Sequence, residues 1–215
     1  GGVSFMSEEN IQVTSNVLTI GNILSNTFRI AQKNALNIIF LTLAWILTIW
    51  IPYVNVGTTI ALWGLCIAIA RDEKFTIDNL FSAQYRKPMG EFFLLYGMIM
   101  VGATVGLLFL YIPGVIIGIA WSQAIYLLVD KNLNPMEAIK ISNEITYGEK
   151  WYIIGAYFTL TICFYIAAII LFALIYSGMP YFLVMILSFA LYMGFLVCMM
   201  CCSAYIYSEL SKKLD

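Results

Sequence analysis

The chain has no histidine and little charge. Histidine is the commonest general base and transition-metal ligand near neutral pH, so its absence removes the usual carrier of both roles. Charged residues make up 11% of the chain, whereas about a quarter is usual in soluble domains. Hydrophobic residues make up 62%. This composition indicates a polytopic membrane protein rather than a soluble enzyme.

Net charge and length narrow the functional classes further. The formal net charge is −1 and no dense basic run is present, which argues against nucleic acid as a partner. The segments between the long apolar stretches are too short for a soluble catalytic domain, which usually needs about 50 residues or more. We therefore predict a single polytopic membrane domain over 1–215 without enzymatic activity. Residues 1–5, ahead of Met6, are interpreted as a cloning remnant.

The five cysteines all fall inside apolar stretches, so we predict free thiols and no disulfide framework. Three of them cluster in the sequence CMMCC at 198–202. Thiolate and thioether ligands in this cluster would suit Cu(I). Gly194, Cys198 and Cys202 also form a ridge of small residues that lets helices pack closely. We favour the packing role and predict neither a metal nor a cofactor.

Six apolar runs predict transmembrane helices. At 1.5 Å per residue the first two runs are only about 25 Å long, which is short for a hydrocarbon core of about 30 Å. An alternative interpretation joins these two runs into one re-entrant hairpin over 36–70. The six runs are 36–51, 54–70, 92–111, 113–129, 151–176 and 181–207.

Charge is confined to one side of these runs. All 11 Lys and Arg and all 12 Asp and Glu lie outside the three connections expected on the far side, at 51–55, 111–114 and 177–180. Each of these connections contains a proline that suits a tight turn between antiparallel helices. Because Lys and Arg accumulate in short cytoplasmic loops, this distribution predicts that both termini are cytoplasmic.

A short amphipathic segment precedes each pair of runs. Residues 19–29 and 76–86 align at an offset of 57, with Thr, Ile, Asn, Ser and Arg at identical positions. The third segment, 134–148, begins with Asn134 as an N-cap and Pro135 at the first helical position. We predict that each segment is an interfacial helix with its apolar side towards the bilayer.

The repeating unit is thus an interfacial helix followed by two spans. We predict an all-α membrane protein with six transmembrane helices in three hairpins, and with repeats over about 19–70, 76–129 and 134–207. Each unit crosses the bilayer twice, so the copies share one orientation and favour a pseudo-threefold parallel arrangement. The alternative is that amphipathic entry helices recur because they favour insertion, without duplication.

Parts of these segments resemble a known bacterial membrane family. The stretches are 20–25 (IGNILS), 129–142 (VDKNLNPMEAIKIS) and 146–151 (TYGEKW). They are similar to the membrane domain linked to glycerophosphoryl diester phosphodiesterases and to its uncharacterised relatives. The resemblance implies a multi-pass protein of the bacterial inner membrane. It does not imply phosphodiesterase activity, because the separate catalytic barrel of those enzymes has no counterpart in this sequence.

Uncharged residues are the candidate functional groups within the spans. Gln123 is the strongest polar side chain at membrane depth, where an unpaired amide costs several kcal/mol. With Ser122, Thr104 and Thr159 it could line a polar path, or it could join helices by hydrogen bonds. Small residues suggest close helix packing. The packing candidates are Gly102, Gly106, Gly114, Gly118, Gly194, Cys198 and Cys202.

Three functions fit these features. The preferred one is a non-enzymatic membrane module that interacts with lipids or serves as an accessory to another protein, and that can form homo-oligomers. The alternative is a channel or transporter that passes a small neutral solute or an ion along a Ser/Thr/Gln-lined path. A membrane enzyme acting on lipid headgroups would need interfacial carboxylates such as Glu137 and Glu144.

Overall fold

The computed structural model describes residues 18–109, 111–176 and 178–214, and within these ranges the regular structure is entirely helical. The interpretation of 1–5 as a cloning remnant lies outside the described residues. Two short 3₁₀ turns, Ala83–Tyr85 and Lys212–Leu214, accompany the α-helices. The α-helices are α1 Ile20–Thr48, α2 Val54–Ala70, α3 Ile77–Leu80, α4 Met89–Phe109, α5 Tyr111–Ala120, α6 Ala124–Lys131, α7 Pro135–Ile145, α8 Lys150–Tyr176 and α9 Tyr181–Ser211.

Five helical segments in the described ranges are long and apolar enough to cross a membrane. They are α1, α4, the combined α5 and α6, α8, and α9 with the short turn that follows it. The helix α2 is apolar but has only 17 residues. Many large hydrophobic side chains on α4, α8 and α9 are exposed, among them Leu108 and Phe158. Such a surface fits contact with lipid, so the chain is an all-α protein of the multi-pass membrane type.

Two hydrophobic clusters form the core, and α9 contributes to both. One cluster joins Leu18 and Ile23 to residues of α6, α8 and α9, including Cys202. The other joins the later part of α1 to α2 and α9, including Cys201. The ends of α1 therefore pack into different clusters, and α9 holds the two clusters together.

The first predicted interfacial helix is not a separate helix. Thr19 caps it as expected, because its hydroxyl accepts a hydrogen bond from the backbone nitrogen of Asn22 at 3.2 Å. However, the helix continues through 30–35 without a break and becomes the first apolar run, which together form α1. The physical reason is that 30–35 (IAQKNA) contains neither proline nor glycine to end the helix.

The second predicted interfacial helix, at 76–86, is broken. Its first turn forms α3, where Thr76 and Asn79 make a capping box. The backbone of Ser82 is extended at φ −60° and ψ 139°, which ends helical geometry, and a 3₁₀ turn follows. Sequence identity with 19–29 therefore does not produce the same local structure.

The third predicted interfacial helix is present as α7. The Asn134 side chain accepts a hydrogen bond from the Glu137 backbone nitrogen at 2.9 Å, and its amide donates to the Glu137 carboxylate. Gly148, beyond the end of the helix, has φ +82°, a conformation that favours glycine. Only this one of the three segments is a separate helix of the predicted length, so the threefold repeat is much weaker in the structure than in the sequence.

The fourth predicted span, 113–129, is interrupted. The helix α5 ends at Ala120, three residues form a turn, and α6 begins at Ala124. Pro113, which was expected in the far-side connection, lies instead in the first turn of α5. Proline is tolerated there because its missing N–H would be unpaired in any first turn.

Close packing of α4 against α5 depends on three of the predicted glycines. A Cβ atom at Gly102 would overlap the Trp121 ring, and one at Gly106 would lie 2.8 Å from the Cα of Gly114. Cys202 is buried, whereas Cys198 is partly exposed. At the two remaining glycines, Gly118 and Gly194, an added Cβ would meet no atom within 4 Å. These two do not mark close helix approaches because the facing helices leave space there.

Arg86 departs from the predicted one-sided charge distribution. A Cβ atom at Gly57, near the start of α2, would lie 2.7 Å from Arg86 Cγ. Arg71 follows the other end of α2, roughly 21 Å away at 1.5 Å per residue. The segment 75–86 folds back along α2 and brings Tyr85 against Gly64. This placement favours the alternative in which 36–70 does not form two full spans.

Candidate functional site

The break between α5 and α6 is held by Ser142 of α7. The Ser142 hydroxyl donates to the Ala120 carbonyl at 2.7 Å and accepts from the Gln123 backbone nitrogen at 3.2 Å. One hydroxyl thus satisfies two backbone groups that the interruption leaves without helical partners. Sequence reasoning identified Gln123 but missed Ser142, whose role depends on how α7 packs against the break.

The side chain of Gln123 is fully enclosed. Its amide nitrogen donates to Ser122 Oγ at 2.9 Å, and Ser122 in turn donates to the Ile119 carbonyl at 2.8 Å. Within the described residues, Gln123 Oε1 has no hydrogen-bond partner. The amide nitrogen of Gln123 therefore stabilises the turn, while its amide oxygen is buried without a hydrogen-bond partner among the described residues.

The other predicted polar candidates do not gather around Gln123. Thr104 lies on an exposed face of α4. Thr159 donates to the carbonyl of Gly155 one turn earlier in α8, at 2.7 Å. No hydrogen bond within the described ranges links either threonine to Gln123. Ser122 and Gln123 are therefore the only pair among the four candidates that the structure joins directly.

The cysteine cluster near the end of α9 is divided between the two core clusters. Cys201 and Cys202 are fully buried and pack into different clusters, and Cys198 is partly exposed. In the part of the chain that the structure describes, no group of three or more His, Cys, Asp or Glu side chains is arranged to hold a metal ion. The arrangement gives the Cu(I) alternative no support.

A charged and aromatic cluster lies where α2, α6 and α9 meet. Asp130 accepts hydrogen bonds from both the Arg71 guanidinium and the Tyr207 hydroxyl at 2.6 Å. The Asp130 side chain is only 8% exposed, so these bonds compensate its charge. The hydrogen bond that Arg71 donates to the Asp130 carboxylate raises the pKa of Arg71 above its ordinary value. The Tyr207 ring stacks on Tyr126 at 5.1 Å and continues the cluster into the core.

Glu149 joins the two ends of the described chain. It accepts a hydrogen bond from the backbone nitrogen of Leu18 at 3.2 Å and forms an ion pair with Lys213 at 3.5 Å. The other two interfacial carboxylates lie in different settings, since Glu137 takes part in the α7 cap and Glu144 pairs with Lys140. The three glutamates thus have separate structural roles and do not form one acid–base site.

A polar cavity of about 380 Å³ lies beside the Arg71–Asp130 pair. Its apolar lining comes from α2, from Phe75 and Pro88, and from Val129 of α6. Its walls carry charged side chains and side-chain amides. We call this cavity the inner hollow; its polar lining residues are Arg71, Glu73, Lys74, Asn79, Gln84, Tyr85, Asp130 and Asn132.

A second cavity of about 310 Å³ adjoins the first and shares Pro88 and Asn132 with it. We call it the outer hollow. Lys87 and Glu91 provide its charged groups, and Leu128 forms part of its apolar wall. Small-molecule sites usually measure about 300 to 1,000 Å³, so each hollow can hold a small polar group.

Two of the cations in the hollows are available to a ligand. Among the described residues, neither Lys74 nor Lys87 makes an ion pair or a hydrogen bond, whereas Arg71 is paired with Asp130. Glu73 and Glu91 place carboxylates close to these ammonium groups. The sequence showed alternating charges at 71–74, but only the fold brings that run next to 84–91 and 130–132.

No known family, curated protein or solved structure matches this chain. The resemblance to the phosphodiesterase-linked membrane domain therefore stays a prediction. The site has to be interpreted from its own geometry. Its two hollows combine ammonium, guanidinium, carboxylate and amide groups with apolar side chains, which suits an amphiphile with a charged headgroup.

Proposed function

We propose that the chain is a non-enzymatic integral membrane module that interacts with membrane lipids at its charged face. The observation that carries the proposal is the pair of adjoining hollows, which are lined by charged and apolar side chains together. A lipid near the interface likewise combines a polar head with apolar chains. Lys74 and Lys87 supply the cations that would attract lipid phosphate.

The polar groups of the interior support a structural rather than a catalytic role. Ser142 joins the broken helix to α7, and Asp130 links three helices through Arg71 and Tyr207. Each of these groups is engaged in hydrogen bonds that join helices of the described structure. An accessory module needs such a stable scaffold.

We further propose that both termini lie on the cytoplasmic side of a bacterial inner membrane. The meeting of Leu18 and Lys213 at Glu149 supports a common side for the two ends. The two ends lie on the same side when the chain crosses the membrane an even number of times. Six spans fit the apolar pattern, while the position of Arg86 beside Gly57 supports a re-entrant 36–70 and four full crossings.

The second candidate is a transporter or channel for a small neutral solute or an ion. It is favoured by one observation, the interrupted span at whose break Gln123 Oε1 has no hydrogen-bond partner in the described ranges. Discontinuous helices often bind substrates or ions near the bilayer midplane. Against it, Thr104 and Thr159 do not extend a polar lining from Gln123.

The test is reconstitution of the purified protein into vesicles of defined composition. We expect the unfolding temperature to depend on the headgroup at constant acyl chains, because a ligand that binds only the folded state stabilises it. Equal unfolding temperatures in all headgroup compositions would contradict lipid interaction. Solute flux measured on the same vesicles would instead support the transporter.

A further inference from the structure

We propose that the two hollows and an adjoining groove along α4 form a binding site for one phospholipid with a zwitterionic ethanolamine-type headgroup. The inference rests on the proposed lipid interaction and adds the headgroup class and the path of the acyl chains. Both follow from the positions of charged and apolar side chains.

The charge balance of the hollows selects the headgroup. Three cations line them, and so do three carboxylates. A purely anionic headgroup would leave the carboxylates opposed to its phosphate. An ethanolamine phosphodiester carries one phosphate charge and one ammonium, so it can engage both sets. The cations are Arg71, Lys74 and Lys87, and the carboxylates are Glu73, Glu91 and Asp130.

The geometry assigns the two ends of the headgroup. Lys74 and Lys87 lie on the two hollows and are not paired within the described chain, so they are the phosphate contacts. Glu91 and the Asn132 side chain offer oxygen acceptors for the three N–H groups of the ammonium. Replacement of the ammonium by a trimethylated amine removes those donors.

The acyl chains find a surface on the same side of α4. Leu94, Met98 and Val101 follow Glu91 at intervals of three, four and three residues, which places all four on one helical stripe. An apolar groove of about 500 Å³ lies along this stripe, and Trp121 is among the residues that line it. The acyl chains of a lipid whose headgroup lies at Glu91 would therefore follow α4 along this groove.

Gly97 supplies a sharp test of the groove. It lines the groove, and a Cβ atom at this position would meet nothing within 4 Å. Gly97→Leu would therefore fill the groove without disturbing the fold. Gly90→Leu is the matched control, because Gly90 lies on the same helix with equally free space and does not line the groove.

A second pair of matched variants tests the headgroup contacts. Lys87→Gln removes from the outer hollow a cation that has no partner among the described residues. Lys140→Gln is the control, because Lys140 is an exposed lysine of α7 outside both hollows. Both changes remove one positive charge from the protein, so a general electrostatic effect would appear in both.

The experiment measures which lipids stay bound. The full chain is equilibrated in detergent with equal amounts of phosphatidylethanolamine, phosphatidylglycerol and phosphatidylcholine, and retained lipids are counted by native mass spectrometry. We expect the ethanolamine lipid to be enriched by at least about threefold, within reach of one or two charge-assisted contacts. Lys87→Gln and Gly97→Leu should abolish the enrichment, and the two controls should keep it.

Several outcomes would overturn the site. Enrichment of the glycerol lipid would show an anionic preference, and equal retention of all three would show no headgroup selection. Loss of enrichment in the controls would show a general effect of charge or helix substitution. Soluble glycerophosphoethanolamine, which lacks acyl chains, could also displace the bound lipid. If it bound the Gly97→Leu variant as well as the original protein, the hollows would be a site for a soluble phosphodiester instead.

The general lipid interaction and the ethanolamine site can be refuted independently of each other. If vesicle stability depends on headgroup while the ethanolamine lipid shows no enrichment, the ethanolamine site is wrong and the general lipid interaction stands. If stability is also independent of headgroup, both proposals fall.

Discussion

The hydroxyl of Ser142 lies 3.2 Å from the backbone nitrogen of Gln123 and completes the hydrogen bonding of an interrupted helix. The same oxygen donates to the carbonyl of Ala120. A residue of α7 thereby fixes the direction in which α6 leaves α5. Since α6 carries Asp130, this bridge also helps to position the charged cluster beside the inner hollow.

Ser142→Ala should destabilise the fold by about 1 to 3 kcal/mol, because it leaves two buried backbone groups without a partner. Equilibrium unfolding in detergent measures the loss. Ser188→Ala is the control, since the Ser188 hydroxyl donates to the Val184 carbonyl one turn earlier in α9 and to no other group of the described residues. Equal effects of the two substitutions would contradict the bridging role.

Gly106→Ala should destabilise the packing of α4 on α5 by about 1 to 3 kcal/mol, because the new methyl would overlap the Gly114 backbone. Gly118→Ala should be neutral or stabilising by up to about 1 kcal/mol, since its methyl meets open space and alanine favours helix. Thermal unfolding of the two variants gives the comparison. Destabilisation at Gly118 equal to that at Gly106 would refute the packing geometry.

Asp130 and Tyr207 should show energetic coupling. Tyr207→Phe retains the ring stack on Tyr126 but loses the hydrogen bond to the Asp130 carboxylate. A double-mutant cycle with Asp130→Asn should give a coupling energy of about 1 to 3 kcal/mol, as expected for a buried bond to a charged group. Additive effects of the two substitutions would show that the Tyr207 hydroxyl does not interact with the Asp130 carboxylate.

Tyr85 should contribute to the loss of stability in alkaline solution. Burial raises the pKa of this phenol above its ordinary value, and the Glu73 carboxylate acts in the same direction. The unfolded chain therefore loses the proton first, and stability falls as pH rises above about 10. Tyr85→Phe should flatten this part of the stability profile, measured by unfolding at a series of pH values. An unchanged slope would contradict a half-buried phenol at this position.

Helix content and the broad class were predictable because long apolar runs dominate the chain. The cap of α7 was equally predictable, because Asn134 and Glu137 act through contacts only three residues apart. The continuation of 19–29 into α1 was missed, although the absence of proline and glycine from 30–35 is visible in the sequence. The sequence also gave no sign of Arg86 beside Gly57, since that contact depends on the return of 75–86 along α2.

The candidate site could not be predicted from the sequence, because its residues come from distant parts of the chain. Gln123 stood out as a polar residue in an apolar run, but its partner Ser142 comes from another helix. The hollows join 71–74, 84–91 and 130–134, three segments whose distance in the chain conceals their contact. Local patterns therefore predicted elements and caps, while tertiary packing produced the site.

The most direct test of lipid interaction at the charged face is photolabelling with a phosphatidylethanolamine whose headgroup carries a photoreactive label. The reconstituted protein is illuminated, digested and sequenced by mass spectrometry. Labels should concentrate in 71–91 and 128–134 and should decrease when unlabelled phosphatidylethanolamine is added. Labels spread evenly over exposed parts of α1, α8 and α9, without competition, would contradict a lipid site at the hollows.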